Sequence, residues 1–262
     1  MGWKTFAELD EKLKRRINNA VLNATIIEDI NFRPRVVHDL FHRLNTGGMP
    51  LTDQEIRNCV YTGIFNKQII ALNLNENWRL LLGKKSVDRR LRDAELILRF
   101  LSLLNSIQSY KPSMREFLST YQELNKDNSS FLDSNQQIFE RTINLILQEI
   151  GVDAFKITSA INKSVCDSIM VGIAQILVDG KEPINLKENY YKLISDSNYL
   201  KYVTAATSSE SRVTGRINLA RNYFRLIIFF MAFNSPSIET FKVELVSSID
   251  AIQKCQSVVM VL

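Results

Sequence analysis

A chain of 262 residues, 45% hydrophobic and 23% charged, can bury an ordinary core beneath an ordinary surface. Nine Gly and five Pro are too few for an all-β protein, which needs turn residues every few positions, so the composition favours long helices with short connections. The 33 Lys and Arg against 28 Asp and Glu leave a formal +5, which is compatible with nucleic-acid or nucleotide partners without demanding them.

Residues 5 to about 21 are predicted to form a helix, with Thr5 as N-cap and Phe6, Leu9, Leu13 and Ile17 at three- and four-residue spacing. The next stretch, 22–30 (LNATIIEDI), is the best strand candidate in the chain. Pro34 suits the first turn of a second helix that buries Val37, Leu40, Phe41 and Leu44 and stops at Asn45. A third helix is expected from 51–52 to about 74, with Ile56, Val60 and Ile64 stacked four apart. Further helices are expected at about 75–82, 88–107, 112–125, 131–150, 162–178, 186–196 and 210–233, with a last one from Ser237. The expected class is therefore mainly α: a multi-helix bundle with at most one short strand. It reads as a single helical domain over 1–262, with a loose subdivision conceivable near 126–130 (KDNSS).

Cys59, Cys166 and Cys255 contain no CxxC pair, so neither a disulfide framework nor a cysteine-built zinc site is expected. With no signal sequence read at the N-terminus, the expected location is the cytoplasm. The longest apolar run, 226–233 (LIIFFMAF), has 8 residues. A membrane span needs about 20, so the run reads as buried helix. The basic clusters at 33–35, 84–85 and 89–90 read as solvated faces, and Cys59 as a buried small hydrophobe. Residues 208–212 read as the cap of a helix whose Arg216, Arg221 and Arg225 form a basic outer stripe. Tyr190, Tyr191, Tyr199, Tyr202 and Phe224 are expected to fill core. His38 and His42 lie one helical turn apart, but no further ligand stands beside them in sequence, so no metal site is expected.

The densest cluster of polar signals is 41–58, FHRLNTGGMPLTDQEIRN. A helix ends at Leu44. Asn45 tolerates a left-handed backbone, and Gly47 and Gly48 adopt it freely. Pro50 and Thr52 start the next helix. Two readings fit this arrangement. In one it is a tight helix–helix turn closed by a capping box, Thr52 holding the Glu55 N–H and Glu55 reaching back to the Thr52 N–H. In the other the amides of residues 45–48 converge as an anion-binding nest, reinforced by the following helix N-terminus. Arg43, Thr46, Gln54, Arg57 and Asn58 then serve as phosphate- or nucleotide-binding side chains, and Glu55 is the acid that could hold a metal or orient a water.

This segment resembles the signature of the ParB/sulfiredoxin-like family found at the N-terminus of GmrSD-type restriction enzymes, also known as domain of unknown function 262. That family carries a pattern close to F-x-R-L-N-x-G-G-x-x-L-x-x-Q-E-I-R-N. Phe41, Arg43, Leu44, Asn45, Gly47, Gly48, Leu51, Gln54, Glu55, Ile56, Arg57 and Asn58 match it. The resemblance continues in 88–101 (DRRLRDAELILRFL), where Asp93, Glu95 and Arg99 stand at the family's acid–apolar–arginine positions, and more weakly in 204–216 (TAATSSESRVTGR). The family's other hallmark, D-G-Q-Q-R on a ParB-like β core, is missing, since the single Asp-Gly pair, Asp179-Gly180, is followed by Lys181. The chain begins near the point where that β core would end.

The resemblance therefore implies the helical subunit of a split, GmrSD-like bacterial defence effector. Its partner, encoded by a neighbouring gene, would carry the D-G-Q-Q-R half. Glu55 would be the catalytic acid. Arg43, Asn45, Thr46, Gly47, Gly48, Gln54, Arg57 and Asn58 would complete a nucleotide- or DNA-phosphate-binding pocket, and a divalent metal and nucleotide would be bound jointly with the partner. The chain alone is expected to be inactive, with DNA a further expected contact and no membrane involved. The alternative from a different class is a non-catalytic interaction or regulatory protein derived from the same family. A DNA-binding module is the third reading, and it requires affinity that falls steeply with salt.

Overall fold

The computed structural model describes residues 5–21 and 51–225. The expected strand at 22–30, the second helix, Arg43, the Asn45–Gly48 turn, both histidines, Cys255 and the helices expected beyond 225 lie outside the described residues.

The protein is a mainly α, multi-helix bundle, as its composition and periodicity predict. Its helices are α1 (Glu11–Asn18), α2 (Asp53–Val60), α3 (Ile64–Leu72), α4 (Glu76–Leu81), α5 (Arg92–Ser106), α6 (Met114–Asn125), α7 (Leu132–Leu145), α8 (Lys163–Val178), α9 (Leu186–Ser195), α10 (Ser197–Thr204) and α11 (Glu210–Arg225). Among the described residues there is no strand, only an isolated antiparallel bridge between Lys156 and Ile161.

The centre of the bundle is α8. Every position from Ser164 to Leu177 except Gln175 is buried, the pattern of a helix surrounded by protein on all sides. Asn162 starts it, its side chain accepting from Ser164 N (2.9 Å) and Val165 N (3.2 Å). Helices α5, α7 and α11 pack around it. The closest approach is that of α11, and Gly172 makes it possible. A Cβ at Gly172 would lie 2.9 Å from Arg221 N and 3.0 Å from Ala220 Cβ, so any larger residue would push the two helices apart.

A second part of the core forms around Trp78 of α4. Its ring lies edge-on to Phe139 (centroids 5.6 Å) and tilted to Phe155 (6.0 Å), and its indole N–H donates to Asn73 Oδ1 (3.0 Å). Burying so large a side chain with its one polar atom satisfied is favourable on both counts. One apolar cluster runs from Phe65 to Phe224, so side chains from both sides of 126–130 share it.

Three elements differ from expectation. The helix expected from 51 to 74 is two helices, broken at Tyr61–Gly63. A Cβ on Gly63 would sit 2.3 Å from Lys126 O, the carbonyl that accepts from Phe65 N (3.1 Å); the chain turns there to dock on the start of the next layer. The segment expected as one helix over 5–21 is a 3-10 turn, Phe6–Glu8, followed by α1, which Asp10 caps through Leu13 N (2.8 Å). Finally, α10 was not expected. Asp196 ends α9 and begins α10, its carboxylate accepting from Asn198 N (2.7 Å) and Tyr199 N (3.1 Å).

No helix among the described residues is long and apolar enough to cross a membrane.

Candidate functional site

The described part of the 41–58 segment is α2 and its N-terminus. Thr52 has extended backbone angles and closes a capping box. Its N–H donates to Glu55 Oε2 (2.6 Å), and its hydroxyl oxygen accepts from Glu55 N (3.2 Å). The box is tied to the turn before α5, because Thr52 Oγ1 donates to Arg90 O (3.0 Å) and Arg90 Nε donates to Glu55 Oε2 (2.9 Å). Partial desolvation works against the ionised form of Glu55. The hydrogen bonds from Thr52 and Arg90 and the Arg90 charge outweigh it, holding the carboxyl below the usual carboxylate range. Glu55 is thus a capping group that stays ionised near neutral pH, poorly matched to proton transfer there. Its Oε1 takes no hydrogen bond among the described residues.

Substituting Glu55→Ala is expected to cost about 1 kcal/mol near neutral pH, the usual worth of a lost helix cap. The folded carboxyl titrates below its unfolded value of about 4.3, so its stabilisation is present above that value and is lost as pH falls through the folded one. Urea midpoints of the two proteins should therefore differ at about pH 7 and converge towards about pH 3.

Gln54 and Arg57 turn the other way, into the bundle, and both are buried. Arg57 Nε donates to Gln54 Oε1 (2.8 Å), Nη2 donates to Glu95 Oε2 (2.8 Å), and Nη1 lies 3.5 Å from Arg115 O. The guanidinium expected to face a phosphate is thus committed to α5 and the start of α6. Glu95 is shared, its Oε1 accepting from Lys163 Nζ at the start of α8 (2.8 Å).

One turn along α5, Arg99 forms an ion pair with Asp167 of α8. The same carboxylate receives Arg216 of α11, through Nε to Oδ1 (2.9 Å) and Nη2 to Oδ2 (3.2 Å). Arg216 Nη1 continues to Thr207 O (2.5 Å). Two clusters of ionised side chains thus stand one turn apart on α5, Arg57–Glu95–Lys163 joining α2, α5 and α8, and Arg99–Asp167–Arg216 joining α5, α8 and α11. At the start of α5 Asp93 is also engaged, by Arg79 (2.6 Å). The expected outer stripe on α11 is corrected here: Arg216 is fully buried, because a buried carboxylate stands opposite it.

Asn58 begins a second polar ladder. Asn66 Nδ2 donates to Asn58 Oδ1 (2.8 Å), and Gln122 Nε2 donates to Asn66 Oδ1 (3.0 Å). The carbonyl end of Asn58 is thereby fixed inward, leaving its amide as the end that can donate outward. Of the nine site residues expected from sequence, the structure brings Gln54, Arg57 and Asn58 into two networks beneath α2 and keeps Glu55 at its N-terminus. Arg43, Asn45, Thr46, Gly47 and Gly48 lie outside the described residues.

Sequence reasoning missed Lys163, Asp167, Asn66, Gln122 and Arg79. Asp167 carried a usable signal, since one acid within an otherwise apolar helix must find a cation. Cys59 is exposed rather than buried, because the apolar face of α2 is set by Ile56 and not by its neighbour. Tyr190, Tyr199 and Phe224 are core as expected, whereas Tyr191 is exposed. Among the described residues no group of three or more His, Cys, Asp or Glu side chains is placed to hold a metal ion.

Comparison of the chain with known protein families, with curated proteins and with solved structures finds no match.

Proposed function

We propose that the chain is the helical part of a GmrSD-like bacterial defence effector, working with a separate polypeptide that carries the D-G-Q-Q-R half. The observation that carries this reading is the eighteen-residue pattern at 41–58, whose many matched positions make it far more specific than a glycine pair. Supporting it, Arg57 from that pattern and Glu95 from the second similar segment are bonded to each other in the bundle, as expected if the two segments act as one unit.

In this reading Arg43, Asn45, Thr46 and the amides of Gly47 and Gly48 close a nucleotide- or DNA-phosphate-binding pocket against the partner, with the Asn58 amide as a further donor. Gln54 and Arg57 brace the helix from behind. A divalent metal would rest on the partner's acid, with Glu55 Oε1 as this chain's contribution.

The test is co-expression with the neighbour-encoded D-G-Q-Q-R protein. The expected result is a stable complex that hydrolyses nucleoside triphosphates or cleaves DNA, while each part alone is inactive. Robust hydrolysis by the purified chain alone, abolished by Glu55→Ala, would overturn the reading. A chain that finds no such partner is better described as a non-catalytic interaction protein, a reading favoured by the engagement of Gln54, Glu55 and Arg57 in structural bonds.

A further inference from the structure

Between the end of α4, the start of α5 and the loop that leads into α8 lies a concave pocket of about 430 Å³, within the ordinary range of small-molecule sites. Four basic side chains line it, Lys84, Arg92, Lys156 and Lys163, against two acids, Asp88 and Asp93. Both acids are already occupied. Asp93 accepts from Arg79 (2.6 Å) and from Asp88 N (2.8 Å), while Asp88 accepts from Arg92 Nε (2.7 Å) and Arg90 N (2.8 Å).

The cations are less well compensated. Lys163 shares Glu95 with Arg57. Lys156 pairs with the exposed Asp153. Lys84 has no carboxylate within ion-pair distance among the described residues. Behind the pocket wall Arg79 is buried, and its Nε and Nη2 have no hydrogen-bond partner among the described residues. When Arg79, Arg57, Asp153 and Glu95 are included with the lining, six cations stand against four carboxylates. A concave surface with low-dielectric walls focuses such an excess into the pocket.

The remaining lining gives the ligand its shape. Leu82, Leu96 and Ile161 form an apolar side beside the basic one. The geometry points to a binding site for a phosphorylated small molecule, its phosphate dianion held by the basic lining, Lys84, Arg92, Lys156 and Lys163, and its organic body against Leu82, Leu96 and Ile161. Lysine and arginine are the residues suited to phosphate, and charge-assisted bonds to it are about twice as strong as neutral ones. The site uses none of residues 41–58, so it stands independently of the function proposed above.

The test is calorimetric titration of the full chain with AMP and, separately, with inorganic phosphate, at low and moderate salt. Lys84→Glu and Lys156→Glu are the informative variants, since neither side chain holds a buried partner and both proteins should keep the parent's thermal midpoint. AMP is expected to bind more tightly than phosphate, to weaken as salt rises, and to lose about tenfold or more in affinity in either variant. The proposal is overturned if neither probe binds the parent chain, or if charge reversal at Lys84 and Lys156 leaves the affinity unaltered. It is equally overturned if a duplex DNA competes more strongly than AMP for the same residues. Loss of AMP binding in Asn45→Ala but not in Lys84→Glu would place the ligand at the 41–58 segment, sinking this inference while sparing the proposed function.

Discussion

Replacing Asp167 with alanine is expected to lower the stability of the protein by about 3–5 kcal/mol, the cost of leaving buried ionic partners uncompensated. Asp167 is 1% exposed and stands between Arg99 and Arg216, both also buried. Without it, two guanidinium groups from different helices share a low-dielectric space with no counter-charge. Domains of ordinary stability have only about 5–15 kcal/mol in hand, so the denaturant midpoint should fall sharply with an unchanged slope. A loss below about 1 kcal/mol would mean that water reaches this triad. A triple variant, Asp167→Leu with Arg99→Met and Arg216→Met, should recover much of the loss, because apolar packing replaces buried ion pairs at little cost. What it should not recover is the bond from Arg216 Nη1 to Thr207 O, which holds the loop entering α11.

The second large effect is expected at Glu95. Glu95→Ala leaves the fully buried Arg57 with Gln54 and one long contact to Arg115 O, and about 3 kcal/mol should be lost. The two partners shift in senses that do not match. Burial raises the Glu95 carboxyl, but Lys163, Arg57 and Arg99 together carry it below the usual carboxylate range. Burial draws Arg57 below its ordinary value, and Glu95 only partly restores it. Because arginine stays protonated in proteins, the carboxylate governs the pH dependence. Its contribution is present above the unfolded value of about 4.3 and is lost as pH falls through the lower folded one. Stability of the parent should therefore drop on the acid side, and the Glu95→Ala profile should be flatter there. A double-mutant cycle of Arg57→Ala with Glu95→Ala should give a coupling of about 1–3 kcal/mol. Additive losses would show that the Arg57–Glu95 pair contributes nothing to holding α2.

The second experiment probes how the motif helix is anchored to the bundle, by charge as well as by apolar contact. Buried pairs of this kind contribute less to stability than packing does, but each bond is directional. The Arg57–Glu95 pair and the Thr52–Arg90 and Glu55–Arg90 bonds fix the rotation and height of α2 on α5. Any ligand seated on its N-terminus inherits that placement.

Much of this protein is determined within short windows of its sequence. Helices α5 to α9 and α11 follow from apolar residues recurring at three and four positions, and the Thr52–Glu55 box follows from a three-residue spacing. Those signals are local, because a helix and its cap are made of residues that are neighbours in the chain. What the tertiary structure alone decided depends on residues far apart. The break at Gly63 exists because Lys126 O occupies the space a side chain would need. Arg57 faces inward because Glu95 is there, 38 residues away, and Arg216 is buried because Asp167 is there, 49 residues away. An arginine on a helix reads the same in sequence whether it meets water, phosphate or a buried carboxylate. The sign and position of the charge facing it are properties of the packed bundle.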